Sequence, residues 1–261
     1  MSFADPAGRM CGRYSLSTSR GDLRARFDAA FPDATPRYNC APGQKLPVIT
    51  ADAPTEARRL EWGLTPAWAD ERLGLINARA ETIREKPAFR SAFERRRCLV
   101  PADGFYEWVE TGSGTRPYRV AFADDRPFAM AGIYERWEPP EPDGPTQTGL
   151  DRFAGGARNG GGNGSGSDAD AVTSDPTADA GSKPVETFSI VTTEPNDLVA
   201  DLHHRMAVIL KPDEEERYLH GDPETAASLL DPIAPDDLRA YPVSERVNDP
   251  SNDDPSLLEP V

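Results

Sequence analysis

Cysteine is scarce in this chain and falls into no pattern. Cys11, Cys40 and Cys98 are the only three, and none lies in a CxxC or Cys/His spacing. An odd, scattered set excludes a disulfide framework and a structural zinc site. Long apolar runs are also missing: no stretch approaches the roughly 20 residues of a membrane span. The opening MSFADPAGRM lacks the apolar core of a secretory signal. The chain is therefore read as soluble and cytoplasmic, without a membrane partner, and is expected to be a monomer. Lysine is rare beside arginine, and there are three histidines in all.

Basic charge is short overall. The net charge is −15, the wrong sign for a typical nucleic-acid binder. The acid is unevenly placed, however. Residues 138–184 hold eight acidic and three basic residues, and residues 213–261 hold fourteen and three, which leaves +1 for the rest. Bulk acidity of this kind, with little lysine, suits solubility in a cytoplasm of high salt.

Hydrophobic residues make up 38% of the 261 positions, enough for one core. From Glu138 to Pro184 the chain is dominated by Gly, Pro, Ser, Asp and Ala. Such a stretch buries too little to offset its ordering entropy, so it is expected to be a disordered insertion between two strands. It does not divide two domains, because the acidic chain after it is too short for a core of its own. Elsewhere, helical spacing predicts helices over about 20–31, from Pro87 to Phe93, from Glu194 to about Ala200, from Asp213 to Leu219 and from Pro223 to Leu230. Strands are expected near 46–50, 57–62, 98–100, 105–109, 118–122, 128–134, 187–192 and 206–210. The pattern predicts an α+β single domain, a curved antiparallel sheet forming a pseudo-barrel with peripheral helices.

Five short segments carry possible chemistry. In Met10-Cys11-Gly12-Arg13-Tyr14, loss of the residues before Cys11 leaves a 1,2-aminothiol. Its amine, with a pKa of about 8, condenses with an aldehyde to an imine, and the thiolate then closes a thiazolidine. The plainer reading is a buried structural cysteine. Trp62-Gly63-Leu64-Thr65-Pro66-Ala67-Trp68 offers tryptophans either for stacking on unpaired bases or for core packing. Asn77-Ala78-Arg79-Ala80-Glu81 pairs an amide with a phosphate-holding arginine, or else is a strand edge with a salt bridge. In Gly104-Phe105-Tyr106-Glu107-Trp108, a carboxylate among aromatics is partly desolvated, which raises its pKa and suits a general acid/base; otherwise it is an exposed strand glutamate. His203-His204-Arg205-Met206 holds two of the three histidines, which either shuttle protons or form a metal-free surface pair. No third ligand for a metal is evident.

In this order, and together with YNCAPGQ at 38–44, CLVPADGFYEW ending at Trp108, and YPVSERVN at 241–248, these segments resemble the SRAP family, the SOS response-associated peptidases or abasic-site processing proteins. The resemblance spans about residues 10–260, interrupted by the insertion. It implies a protein of the DNA-damage response that senses abasic sites in single-stranded DNA and links to them covalently. It implies that Cys11 is the N-terminal nucleophile, that Asn77 contacts its amine and the sugar, that Glu107 is the acid/base and that His203 is the active-site histidine. Arg13 and Arg79 would contact phosphates, Trp68 and Trp108 the flanking bases, and Thr192 would line the site. No metal or organic cofactor is required. Residues 1–9 are an extension that must be absent or self-cleaved for Cys11 to have a free amine. Ala207 stands where the family has proline. A cysteine peptidase using Cys11 and His203, an AP lyase and a noncatalytic single-strand binder are the alternatives.

Overall fold

The computed structural model describes residues 12–112, 114–140 and 183–261. Cys11, the extension at 1–9 and nearly all of the low-complexity segment lie outside the described residues.

The chain order is β1 (Tyr14–Leu16), α1 (Arg20–Phe27), β2 (Arg37–Cys40), β3 (Lys45–Thr50), β4 (Ala53–Trp62), β5 (Asn77–Arg79), α2 (Pro87–Arg95), β6 (Arg97–Ala102), β7 (Gly104–Thr111), β8 (Gly114–Phe122), β9 (Phe128–Trp137), β10 (Val185–Thr193), α3 (Asp197–Ala200), β11 (Met206–Ala207), β12 (Ile209–Leu210), α4 (Pro212–His220), α5 (Pro223–Ala227) and β13 (Leu238–Pro242). Single-turn 3-10 helices include 80–82, 245–248 and 255–258.

Five strands close into a barrel. β10 pairs with β4, β4 with β3, β3 with β6, β6 with β9, and β9 returns to β10. Four of the pairings are antiparallel and one, β10 with β4, is parallel. The barrel is therefore mixed, where many short strands broken by Pro and Gly suggest an antiparallel sheet. Parallel pairing needs a long crossover, and over a hundred residues separate β4 from β10. β5 also lies parallel to β10, with Asn77 opposite Ile190 and Arg79 opposite Thr192.

A second sheet, ordered β13-β8-β7-β1-β2, packs against the barrel. Tyr14 of β1 meets Trp62 of β4 at 5.3 Å between ring centroids, and Trp62 meets Phe188 of β10 at 6.2 Å. These rings join the two sheets through one buried core. A smaller cluster, with Tyr106, Val243, Val247 and Leu257 at its centre, covers the other face of the second sheet.

Local chemistry explains where the elements stop. Ser19 caps α1 by accepting from the Asp22 N–H, and Asp28, at φ 48°, ends the helix four residues before the periodic apolar pattern does. α2 begins at Pro87, in the first-turn position that needs no N–H. The buried Arg97 donates to the Phe93 carbonyl at 2.7 Å and the Leu219 carbonyl at 3.3 Å, satisfying the C-terminal ends of α2 and α4 together. The apolar run 206–210 is two strands: β11 pairs with β10 and β12 with β9, and Val208 between them bonds to Val191 and Ala131.

β9 and β10 are antiparallel neighbours, with Trp137 opposite Val185. The low-complexity segment thus leaves and rejoins the barrel at adjacent strand ends, as the connection of a hairpin. Among the described residues, no helix is long and apolar enough to cross a membrane.

Candidate functional site

Glu107 sits mid-strand on β7, inside the second sheet, and is fully buried. Strand alternation decides its surroundings. Phe105 shares its face and belongs to the main core. Tyr106 and Trp108 project from the opposite face into the cluster formed with the C-terminal segment. The flanking Tyr and Trp therefore do not desolvate Glu107, as the linear sequence suggested; burial between sheet and barrel does.

His203 approaches Glu107 from the turn before β11. Its Nδ1 lies 3.7 Å from Oε2 of Glu107, and its side chain is only 10% exposed. The turn is pinned at both ends. Asn196 caps α3 by accepting from the Val199 N–H and donates through Nδ2 to the Ile233 carbonyl. The His203 N–H bonds back to the Val199 carbonyl at 2.8 Å. Burial pushes the His203 imidazole below its ordinary pKa; the Arg205 carbonyl beside Nδ1 lifts it by less, and His204 and Arg205 add to the lowering. The ring is thus disposed to be neutral near pH 7 despite the nearby carboxyl. Nδ1 faces both the Arg205 carbonyl at 3.0 Å and the Arg205 N–H at 3.2 Å, so its tautomer selects one of the two. The sequence pair His203-His204 differs in burial, His203 being half-buried and His204 exposed, while their rings stay in contact with centroids 4.3 Å apart.

Arg205 ties two distant motifs together. It is buried, and its guanidinium donates to both oxygens of Glu81 at 2.6 and 2.9 Å and to the Thr192 carbonyl at 2.7 Å. The Arg205 bonds hold the Glu81 carboxyl below the usual carboxylate range. Thr192, itself fully buried on β10, lies in register with Arg79 on one side and Ala207 on the other. Asn77 begins β5 beside them, half-buried, while Arg79 is exposed. Strand pairing thus sets Asn77, Arg79 and Thr192 on neighbouring strands, and Arg205 links Thr192 to the turn that holds His203 beside Glu107.

Arg13 enters from β1. Its guanidinium donates to Oδ1 of Asn39 at 2.9 Å and to the Val247 and Asn248 carbonyls at 2.6 and 3.3 Å. Its carbonyl accepts from the Tyr106 N–H at 3.0 Å, one residue before Glu107. Trp108 is also engaged: its indole N–H donates to Oδ1 of Asn248 at 2.6 Å. Both residues brace the C-terminal segment, a packing role that motif reading did not anticipate.

Trp68 stands apart, 63% exposed at the tip of the 64–75 loop. The loop is rigid at its neck. Leu64 and Leu75 exchange backbone bonds of 3.0 and 2.9 Å, and the Trp137 indole N–H donates to the Ala69 carbonyl at 2.7 Å. Gly63 (φ 134°) and Gly74 (φ 62°) permit the close backbone approach; a Cβ on Gly63 would lie 3.3 Å from Cα of Gly74.

Three structural residues escaped motif reading. Asn39, fully buried, donates through Nδ2 towards the Val247, Asp249 and Asn252 carbonyls. Asp103 accepts from Ser15, Ser17 and Thr18 and pairs with the buried Arg119. Glu81 lay within a recognised segment, with a salt bridge as one reading, yet its partner 124 residues away carried no local signal. Among the described residues, no group of three or more His, Cys, Asp or Glu side chains is placed to hold a metal.

The comparisons with known proteins then place the chain in a family. The model of the SOS response associated peptidase (SRAP) family matches residues 10–250, and the chain belongs to that family. It is 37% identical to the abasic site processing protein YoqW of Bacillus subtilis, over 96% of this chain and 99% of that one. It is 27% identical to the abasic site processing protein HMCES of Gallus gallus, over 97% of this chain and 78% of that one. A crystal structure of a protein from Bacteroides thetaiotaomicron superposes with a TM-score of 0.74 at 27% identity, covering 96% of this chain and 100% of that one.

Proposed function

We propose that this protein acts in the DNA-damage response by bonding covalently to abasic sites in single-stranded DNA through Cys11. The observation that carries the reading is the buried Glu107 carboxyl with the His203 imidazole 3.7 Å away. It lies on the strand next to β1, whose N-terminal neighbour Arg13 is two residues from Cys11. Relatives named as abasic site processing proteins support the substrate class.

An abasic deoxyribose is mostly a closed hemiacetal. Glu107 takes the proton of the anomeric hydroxyl as the bond from C1′ to the ring oxygen breaks, and then returns that proton to the ring oxygen, with the neutral His203 imidazole beside it. This step is an isomerisation and loses no atoms. The α-amine of Cys11 then attacks the C1′ aldehyde, and the carbonyl oxygen leaves as water, giving an imine. The Cys11 thiolate adds to the imine carbon, the nitrogen takes up a proton, and C1′ ends bonded to both N and S in a thiazolidine. Asn77 holds the amine and sugar, Arg79 locates a phosphate, Thr192 lines the site and Trp68 stacks on flanking bases, while Arg13 and Trp108, bonded to the C-terminal segment, support the site from its far side. Cys11 must be N-terminal for this chemistry, so residues 1–10 are absent from the active form, either because translation starts at Met10 and that Met is removed or because the extension is cleaved by the protein itself.

The test is a denaturing gel. Protein expressed from Met10, with Met loss checked by intact mass, is mixed with single-stranded DNA carrying one abasic site. A heat-stable shifted band is expected for wild type and absent for Cys11→Ala. Glu107→Gln should slow its appearance about 10²–10⁴-fold, the range for a lost general acid/base. Strand scission without an adduct would point to an AP lyase. No band from a folded, processed protein would sink the crosslinking reading and leave the cysteine peptidase.

A further inference from the structure

We propose that Glu81 is a positioning residue that fixes the orientation of His203 towards Glu107, acting through Arg205. The inference deepens the proposed function and rests on it only for its effect on rate.

Three observations carry it. First, the two oxygens of Glu81 are matched one-to-one by the Nη1 and Nη2 groups of Arg205, at 2.6 and 2.9 Å. A bidentate pair of this kind fixes both the position and the plane of the guanidinium. Secondly, the same guanidinium donates to the Thr192 carbonyl at 2.7 Å, which locks it to β10. Thirdly, the main chain of Arg205 flanks His203: its carbonyl and its N–H lie 3.0 and 3.2 Å from Nδ1. A shift of Arg205 therefore changes the partner of Nδ1, the ring atom that faces Glu107 at 3.7 Å. Glu81 itself touches neither His203 nor Glu107 by any bond described above.

Glu81 also balances charge around the imidazole. The groups that face His203 are Glu107 from β7, His204 and Arg205 from its own turn, and, beyond Arg205, Glu81 and the nearby Arg79. Removing the Glu81 carboxylate leaves the Arg205 cation without its closest partner, which disfavours a charged imidazole further.

The experiment is NMR of full-length protein with ¹⁵N,¹³C-labelled histidine. Three histidines make the spectrum assignable, with His203→Gln identifying the resonance. In Glu81→Gln, the His203 titration should move to lower pH and its nitrogen shifts should report a changed tautomer balance. Glu81→Asp, which keeps a carboxylate, should restore most of both. In the gel assay, Glu81→Gln should slow adduct formation at saturating DNA by on the order of tenfold, with the half-saturating DNA concentration unchanged, as expected when a reacting group is misaligned rather than lost. An unchanged His203 titration and tautomer in folded Glu81→Gln would overturn the proposal whatever the gel shows. If Glu81→Gln does not fold, Arg205→Lys, whose ammonium cannot make the bidentate pair with Glu81, takes its place, and an unaltered His203 titration and tautomer there would overturn the proposal equally. Failure of wild type to form an adduct would instead strike the proposed function and leave the NMR result to decide the positioning.

Discussion

Glu107 and Trp108 are consecutive residues that serve opposite faces of one strand. The carboxyl of Glu107 is sealed against the barrel rim beside His203, while the Trp108 indole N–H bonds to Asn248 of the C-terminal segment at 2.6 Å. The strand thus couples the candidate reaction centre to the 245–248 turn of the C-terminal segment. Arg13 strengthens the coupling from β1, with its guanidinium on the Val247 and Asn248 carbonyls.

That coupling predicts the effect of Asn39→Ala. Asn39 is the buried hub for three C-terminal carbonyls and for Arg13. Its loss leaves several buried polar groups without their partner, at a cost of about 2–4 kcal/mol. Urea unfolding should show a lower midpoint with a similar slope. An unchanged midpoint would show that the C-terminal segment is held without it.

Gly132→Ala should destabilise the barrel. A Cβ there would lie 2.8 Å from Sγ of Cys98 and 2.9 Å from Cγ2 of Val100, with the Ser189 carbonyl at 3.3 Å. Overpacking of this kind costs about 1–3 kcal/mol. Differential scanning calorimetry checks it, and Gly132→Ala combined with Cys98→Ala should recover part of the loss.

Trp68→Ala should act on DNA alone. The side chain is 63% exposed, so the melting temperature should hardly change. If the indole stacks on bases, binding to a single-stranded oligonucleotide should weaken by about 1–3 kcal/mol, roughly five- to 150-fold. Fluorescence anisotropy at fixed salt decides it; equal affinities would remove Trp68 from the interface.

Stability should fall on mild acidification through His203. Its folded pKa lies below the unfolded value of about 6.5, chiefly because burial disfavours the cation. Between those two values the unfolded chain binds more protons, so stability rises with pH there and is lost as pH drops below about 6.5. Glu81, whose folded pKa is depressed by Arg205, contributes stability that is lost only at lower pH, as pH falls through its folded value. Melting curves of wild type and His203→Gln from pH 8 to 5 should diverge below about 6.5, with wild type losing more.

The two described thiols should be silent. Cys40 and Cys98 are fully buried, and burial pushes both thiols well up. In Cys11→Ala, a thiol reagent should label nothing until the protein unfolds. Prompt labelling of the native variant would contradict the burial.

Much of this protein was legible in the sequence because the signals are local. Short apolar runs marked seven of the longer strands and the 206–210 stretch that forms β11 and β12, Pro87 and Pro223 marked helix starts, and low complexity marked the long connection after Trp137. The family's segments named Glu107, His203 and Asn77 as candidates and left their geometry open. Three- and four-residue strands such as β1, β2 and β5 were not legible, because a few residues carry too little periodicity to separate them from loop.

The tertiary structure alone decided how distant segments meet. Closing the barrel required β10 to lie parallel to β4 and β5, a choice set by the crossover between them rather than by any strand's own residues. The pairing of Glu81 with Arg205, 124 positions apart, depends on that closure. So does the burial of Glu107, since alternation puts its side chain on one face and only packing determines whether that face meets water or core. The sequence by itself determined which residue types were available for chemistry and which stretches could pair. Long-range packing decided which carboxyl was buried and which imidazole faced it, because burial and proximity belong to the folded chain and not to any segment of it.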